Sequence, residues 1–470
     1  MARKASGRKK RGGGAPPARG AGSATSRQVG HPVFAQPQPT PDPAVFRIKH
    51  ASDTAAYKEI DQLNREHKIK PLRFDRPRGG TEPTLTLTQV LGGDSAAVDA
   101  ITQRGQIVFH SGGDCGSTRS PEHQNEVADK LVSDFEESDP KEVPQFHFML
   151  GDIVYSFGEA QYYYDQFYEP YRDYPAPILA CAGNHDGMVA PEAHTKSLAA
   201  FVRNFCAQGF GISPDAGSLS RTAQIQPGVF FTFEAPFVRI LAFYSNMLED
   251  PGVISDPALG ACSKWQLDFL AAALDRVKQQ NYQGALLFAH HHPPYTASQA
   301  GSRHGWSVDM LAQMDAVCDK AGIWPHAVLA GHVHNYQRFT RTRRDGTQIP
   351  YVSCGNLGHN VQLLARKGSA PIRVPQVLQE AKGKLDQVTF ESYDDKNYGY
   401  LRVIATAAQL RIEYHAASDG PQIKAPDDYV TVDLEERKLA HFLATDQGRA
   451  TAAEEVRMDR RRLEGRQRRS

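Results

Sequence analysis

Residues 146–155 read Phe-His-Phe-Met-Leu-Gly-Asp-Ile-Val-Tyr: an apolar run that stops at Gly151 and then delivers Asp152 and Tyr155. A short apolar run closed by a turn residue is the pattern of a strand buried on both faces. The same texture recurs at 107–110, 178–182, 285–289 and 327–330, each run ending near Gly, Asp, Asn or His. Between these runs lie stretches with helical spacing, 124–139 and 265–280 among them. Buried strands alternating with helices predict an α/β layered architecture. Runs 229–235 and 238–244 flank Pro236 as neighbouring strands of one sheet, and 400–405 with 410–415 reads as a hairpin. A helix is expected within 53–67, a strand at 84–91, and a charged helical stretch after Asp433.

Five strand ends carry residues able to ligate metals: Gly113-Asp114-Cys115-Gly116, Gly151-Asp152-Ile153-Val154-Tyr155, Gly183-Asn184-His185-Asp186, His290-His291-His292-Pro293-Pro294-Tyr295 and Gly331-His332-Val333-His334-Asn335-Tyr336. One such motif means little, since a Gly-Asn-His-Asp turn can satisfy its own backbone. Five in one chain are different. Carboxylate, amide, imidazole and phenol donors arriving on separate loops are what a two-metal site requires, and open α/β sheets gather ligands at the carboxyl ends of their strands.

The order of these motifs resembles the calcineurin-like metallophosphoesterase superfamily, its purple acid phosphatase branch in particular. Supporting similarity lies in 331–338, in the Gly-rich strand end 351–358 and in Tyr398-Gly399-Tyr400-Leu401, so that the resemblance covers roughly 105–420. It implies a four-layer α-β-β-α sandwich of two packed mixed sheets flanked by helices. It implies that Asp152 bridges two metals, that Asp114, Tyr155 and His334 complete the first, and that Asn184, His291 and His332 complete the second. His291 is chosen for its spacing to Pro293 and Tyr295, with His290 and His292 as alternatives. His185 would face the substrate phosphate, oriented by Asp186. His304, in Ser302-Arg303-His304-Gly305, would be a loop contact to phosphate or a proton donor.

The implied activity is hydrolysis of phosphate monoesters, with a hydroxide generated on the metals as nucleophile. Phosphodiester cleavage on the same dinuclear core is a second reading. A third, of another class, is a non-catalytic metal-binding scaffold whose tails bind polyanions; the presence of all seven ligands and His185 disfavours it. Much of the superfamily opens with Asp-x-His, and here Gly116 stands at the histidine position. Tyr155 resembles the family's replacement ligand, which implies Fe(III) at the first site and Fe(II), Zn(II) or Mn(II) at the second.

The remaining sequence bounds this picture. The 470 residues carry a net charge of +1, which conceals basic tails. Residues 1–41 hold eight Lys or Arg and no acid, residues 451–470 a surplus of three Arg over acids, and 42–450 a charge of −10. Residues 1–45 read as a basic, Pro-rich disordered tail, a solubilising segment or a polyanion contact; 46–104 as an N-terminal extension, too short for the extra β-sandwich of large plant relatives; 105–420 as the catalytic domain; and 421–470 as a charged helical extension. Six cysteines without a CxxC pair suit neither a disulfide scaffold nor a zinc ribbon. No run of 18 apolar residues is present and no apolar stretch follows the basic N-terminus, so a cytoplasmic protein is expected. The aromatic-rich stretch 155–174 is expected to pack its rings into the core from a helix, and Cys115, inside the first metal loop, reads as a redox handle or as a side chain that need not face the metals.

Overall fold

The computed structural model describes residues 26–35, 55–66, 68–69, 71–118, 120–190, 195–256, 263–297, 304–364, 370–383, 385–418, 420 and 425–441. The basic cluster at 8–11, most of the Pro-rich linker and the Arg-rich stretch 451–470 lie outside them.

Two mixed sheets form the body. The larger runs, edge to edge, β13 (Gln376–Gln379), β14 (Gln387–Asp394), β11 (Tyr336–Thr342), β12 (Gln348–Cys354), β10 (Ala327–Ala330), β9 (Ala285–His290), β8 (Val238–Ala242), β7 (Phe231–Ala235) and β2 (Thr84–Thr86). The smaller runs β18 (Lys438–Leu439), β17 (Asp428–Asp433), β16 (Gln409–Ala416), β15 (Gly399–Thr406), β3 (Gln106–Gly112), β4 (His147–Leu150) and β5 (Ile178–Cys181). Strands β3, β4 and β5 are parallel, as are β8, β9, β10 and β12. The carboxyl ends of each parallel set therefore lie together, and these ends carry the five motifs.

The sheets pack face to face through aromatic rings. Phe146 meets Phe233 with ring centroids 5.0 Å apart, and Tyr336 stacks on Tyr414 at 4.1 Å. The Cys181 thiol donates to the Ala289 carbonyl at 3.3 Å across the same seam. On the outside of the larger sheet lie α7 (Trp265–Gln279) and α8 (Val308–Ala321); Phe269 of α7 packs on Phe243, and Met314 and Cys318 of α8 face Phe288 and His290. Helix α4 (Glu122–Ser133) covers the smaller sheet, completing the four layers. It stops short of the expected 139. Asp134, one residue beyond it, is drawn to the sheet by the His110 imidazole at 3.0 Å and the Tyr400 hydroxyl at 2.7 Å. The shorter helices α2 (Leu87–Val90), α3 (Ser95–Arg104), α5 (Asn184–Gly187) and α6 (Ala199–Phe205) are connectors. Among the described residues no helix is long and apolar enough to cross a membrane.

Several sequence expectations change here. The strand expected at 84–91 ends at Thr86, whose side chain caps α2 by accepting from the Gln89 amide at 3.2 Å. The stretch 155–174 does bury its rings, but from short turns at Ala160–Tyr162 and Tyr164–Tyr168 instead of one helix. Residues 26–35 of the expected tail are docked. β1 (Arg27–Gln28) pairs with β6 (Gly211–Ile212); the Thr222 amide donates to the Val33 carbonyl at 2.9 Å, and the Val33 amide donates to the Thr222 hydroxyl at 3.1 Å. The sheet also continues past 420: β17 and β18 are strands where a helical extension was expected, with Asp428 clamped by Arg338 at 2.8 Å. In the N-terminal extension α1 (Ala55–Arg65) forms within 53–67 as expected, and its Tyr57 ring lies 5.6 Å from that of His185.

Candidate metal centre

Strand ends from both sheets converge on one point. β3, β4 and β5 deliver Asp114, Asp152 and Asn184; β9 and the turn after β10 deliver His291, His332 and His334. Three of these residues (Asp114, Asp152 and His332) sit at φ of 61°, 52° and 68°, the left-handed region that non-glycine residues seldom adopt. Such conformations cost about 1–3 kcal/mol each and gather where function requires them. They turn each side chain back across the end of its strand.

Ligand atoms of Asp114, Asp152 and His291 all lie within 4.8 Å of one another. The Tyr155 hydroxyl donates to Asp114 Oδ1 at 2.8 Å and Asp152 Oδ2 at 2.9 Å, and stands 3.4 Å from His334 Nε2. Nε2 of His334 is 3.3 Å from Asp114 Oδ1. His291 donates from Nδ1 to the Leu150 carbonyl at 2.8 Å, leaving Nε2 2.9 Å from Asn184 Oδ1 and 3.2 Å from Asp152 Oδ2. Asp152 thus touches both groups of residues. A histidine at position 116 would not fit: a Cβ on Gly116 would come within 2.7 Å of the Ile153 carbonyl and 2.9 Å of Val154 Cα. The Tyr155 hydroxyl enters the cluster from this side.

The residues fit a cation site. His332 Nε2 is buried with no hydrogen-bond partner among the described residues, and burial together with the neighbouring imidazoles holds this ring well below the usual histidine range. It is a neutral imidazole, and its Nδ1 faces the cluster 3.3 Å from His291 Nε2. His291 goes the other way: burial lowers it, but the charges of Asp152 and Asp114 outweigh burial and raise it to about 9. In the Tyr155 phenol, burial and the same two carboxylates act together and push it well above its ordinary range. A cluster that crowds carboxylates against a trapped phenol proton is arranged for a multivalent cation to replace that proton.

Of the three consecutive histidines, His291 alone reaches the carboxylates. His292 is tied by its two ring nitrogens to Ser245 at 2.7 Å and the Leu248 carbonyl at 2.8 Å, and His290 lies beneath α8. His304 is brought to the cluster, its ring 4.7 Å from His332 and 5.4 Å from His334. Cys115 turns its thiol away to the Ile153 carbonyl at 3.4 Å. The Asp186 expectation needs correction. Its carboxylate accepts from the Gly183 amide at 2.8 Å and the Ile153 amide at 3.1 Å, while His185 Nδ1 donates to the Ser156 carbonyl at 2.7 Å. Asp186 therefore fixes the loops, and a backbone carbonyl orients His185. The sequence reading also missed His359, which stacks on Tyr155 at 3.6 Å, and Tyr57. His359 directly follows the Gly-rich stretch 351–358, and its proximity to that motif was the available signal.

Residues 109–336 match the family model described as calcineurin-like phosphoesterase. This segment is a calcineurin-like phosphoesterase domain. All seven candidate ligands fall inside or at the heart of the phosphoesterase match. Two curated relatives from Arabidopsis thaliana are similar to the chain. A probable purple acid phosphatase 20 is 23% identical over 258 residues, 54% of this chain and 51% of the relative. A probable inactive purple acid phosphatase 9 is 26% identical over 155 residues, 33% of this chain and 23% of the relative. The chain thus spans about half or less of the length of these relatives. Among solved structures, GAP50, the anchor in the inner membrane complex of Plasmodium, matches with a TM-score of 0.45 and 12% identity over 68% of this chain and 87% of that one.

Proposed function

We propose that this phosphoesterase domain hydrolyses phosphate monoesters at a centre of two metal ions. The observation that carries this reading is the convergence of Asp114, Asp152 and His291 within 4.8 Å, with His332 Nδ1 3.3 Å from His291 Nε2. Asp114, Tyr155 and His334 would hold one ion, Asn184, His291 and His332 the other, with Asp152 shared. Two such ions supply Lewis acidity, neutralising phosphoryl charge and making hydroxide available near neutral pH.

The chain's own residues supply the rest. His185 donates its backbone N–H to Asp152 Oδ1 at 2.9 Å, so its position is tied to the shared carboxylate. With Nδ1 committed to Ser156, Nε2 is the nitrogen left to carry a proton to a leaving oxygen, and it lies 4.0 Å from Asp152 Oδ2. His304 stands beside His332 and His334 as a second imidazole able to meet a phosphoryl oxygen. Glu249 lies 3.5 Å from the Asn184 amide nitrogen and keeps the amide oxygen on the His291 side.

The raised Tyr155 phenol supports Fe(III) at the first site, since only a strongly polarising cation holds a phenolate in such surroundings; Fe(II), Zn(II) or Mn(II) would occupy the second. The buried free thiols of Cys115, Cys181, Cys206, Cys318 and Cys354 support a reducing, cytoplasmic setting. The basic residues at 1–25 would add a polyanion contact.

The test is turnover of a chromogenic phosphate monoester and a chromogenic diester by metal-loaded protein. Monoester hydrolysis abolished by chelation, with the diester slower, supports the reading. Faster diester cleavage replaces the substrate class, and inactivity with two bound ions favours a scaffold. Iron-loaded, oxidised protein is expected to absorb in the visible and Tyr155→Phe to lose that band. A colourless, active, iron-free enzyme would refute the iron assignment alone.

A further inference from the structure

The segment His359-Asn360-Val361-Gln362 follows β12 and touches every member of the first ligand group. The His359 amide donates to the Asp114 carbonyl at 3.0 Å. Its imidazole Nδ1 donates to the Gly116 carbonyl at 2.8 Å, and the ring lies flat on Tyr155, centroids 3.6 Å apart and planes 12° from parallel. Asn360 Oδ1 bonds Nδ1 of His334, and the Gln362 side-chain amide reaches that nitrogen at 3.2 Å. The Gln362 backbone amide donates to the His334 carbonyl at 2.8 Å, and the Asn335 side chain returns a bond to the Gln362 carbonyl at 2.9 Å. Among the described residues, no hydrogen bond of this segment reaches Asn184, His291 or His332.

We infer that residues 359–362 are a positioning strap for the first metal site, setting its affinity without setting that of the second. The inference rests on the ligand reading above. Its physical basis is tautomer and ring control. A proton held on His334 Nδ1 by Asn360 leaves Nε2 as the lone pair facing Asp114 and Tyr155. The His359 ring blocks one face of the phenol and fixes its plane. Partners of this kind are worth about 10–100-fold in metal affinity.

The experiment uses the full chain in the Asn184→Ala background, which removes a second-site ligand, and titrates Zn(II) against a chelator. Asn360→Ala is expected to weaken the remaining ion about 10–100-fold, and Asn360→Asp, which keeps an acceptor, to restore most of it. His359→Ala should weaken it as well, and His359→Phe, which keeps the stacked ring, should weaken it less. Thermal unfolding of each metal-free variant checks that it folds. In the mirror background Tyr155→Phe with His334→Ala, where the second site is the one left intact, Asn360→Ala should change affinity less than threefold. Equal weakening in both backgrounds, or none in either, overturns the strap while leaving two-ion binding by the wild type intact. A wild type that binds no ion overturns the ligand reading and the strap together.

Discussion

Replacing Asp152 by alanine separates metal binding from folding, and the expected size of both effects follows from its contacts. Asp152 accepts from the His185 amide at 2.9 Å, the Tyr155 hydroxyl at 2.9 Å and His291 Nε2 at 3.2 Å. Two of these donors keep a partner when it is removed: Tyr155 still has Asp114 at 2.8 Å, and His291 still has Asn184 at 2.9 Å. The His185 amide alone is orphaned, at about 1–3 kcal/mol. Against this, the alanine relieves repulsion with Asp114, whose ligand oxygen lies within 4.8 Å; at an effective dielectric of about 20 that is about 3 kcal/mol. The lost attraction to His291 at 3.2 Å is larger, about 5 kcal/mol on the same footing. The metal-free variant should therefore be less stable than the metal-free wild type by about 3–5 kcal/mol. Metal changes the comparison. At a thousandfold excess over Kd, one bound ion stabilises by about 4 kcal/mol, and the variant should show none of this because both ions lose their shared ligand. The assay is thermal unfolding with and without metal, alongside metal content per chain. Two ions retained in Asp152→Ala, with a wild-type rise in Tm, would refute the bridging role.

His185→Ala is expected to keep both ions and lose about 10²–10⁴-fold in kcat; a fall in metal content would make His185 a ligand instead. Acid stability offers a check remote from the centre. Burial, with Arg437 nearby, lowers His326 to about 3, and its Nδ1 accepts the Leu286 amide at 2.9 Å. Its folded pKa lies below the unfolded value of about 6.5, so the stability tied to the neutral ring is complete above that pH. It is lost as pH falls from about 6.5 toward 3, by up to about 4–5 kcal/mol. Denaturant titrations across this window should show a flatter slope for His326→Gln than for wild type, and equal slopes would count against the account. Removing residues 1–25 should leave monoester turnover unchanged. Removing 1–35 also takes away the β1–β6 pairing and the Val33–Thr222 bonds and should lower stability by about 1–3 kcal/mol, read by denaturant unfolding.

The strands that deliver the candidate ligands are readable because each is buried on both faces and so appears as an unbroken apolar run. The motifs after them were readable because chemistry demands particular donors at a strand end. Other features have no such signature. The group that orients His185 is the Ser156 carbonyl, and a carbonyl is the same at every position of a chain. Tyr57 meets His185 from a helix far earlier in sequence, through a tilted ring contact that spacing does not encode. β17 falls in the stretch whose composition suggests a charged extension, although Tyr429-Val430-Thr431-Val432 is made of aromatic and β-branched residues suited to a strand. The acids and bases beyond it dominated the composition, while what fixes the strand is pairing with β16 and the distant Arg338. Residues 26–35 read as tail for a similar reason, since two strand residues with a remote partner leave almost no pattern.

The order of the donors along the chain has a chemical consequence. Every candidate oxygen ligand, from Asp114 to Asn184, precedes every candidate imidazole ligand, from His291 to His334. Oxygen donors taken by themselves suit hard ions such as magnesium or calcium, and imidazoles shift preference toward zinc and iron. Neither stretch alone therefore discriminates among the ions of a cell. On the proposed ligand set, selectivity would arise at the seam where β4 and β5 of one sheet meet β9 and β10 of the other, so a substitution that loosens this seam without touching a candidate ligand is expected to change which metal is bound before it changes how many.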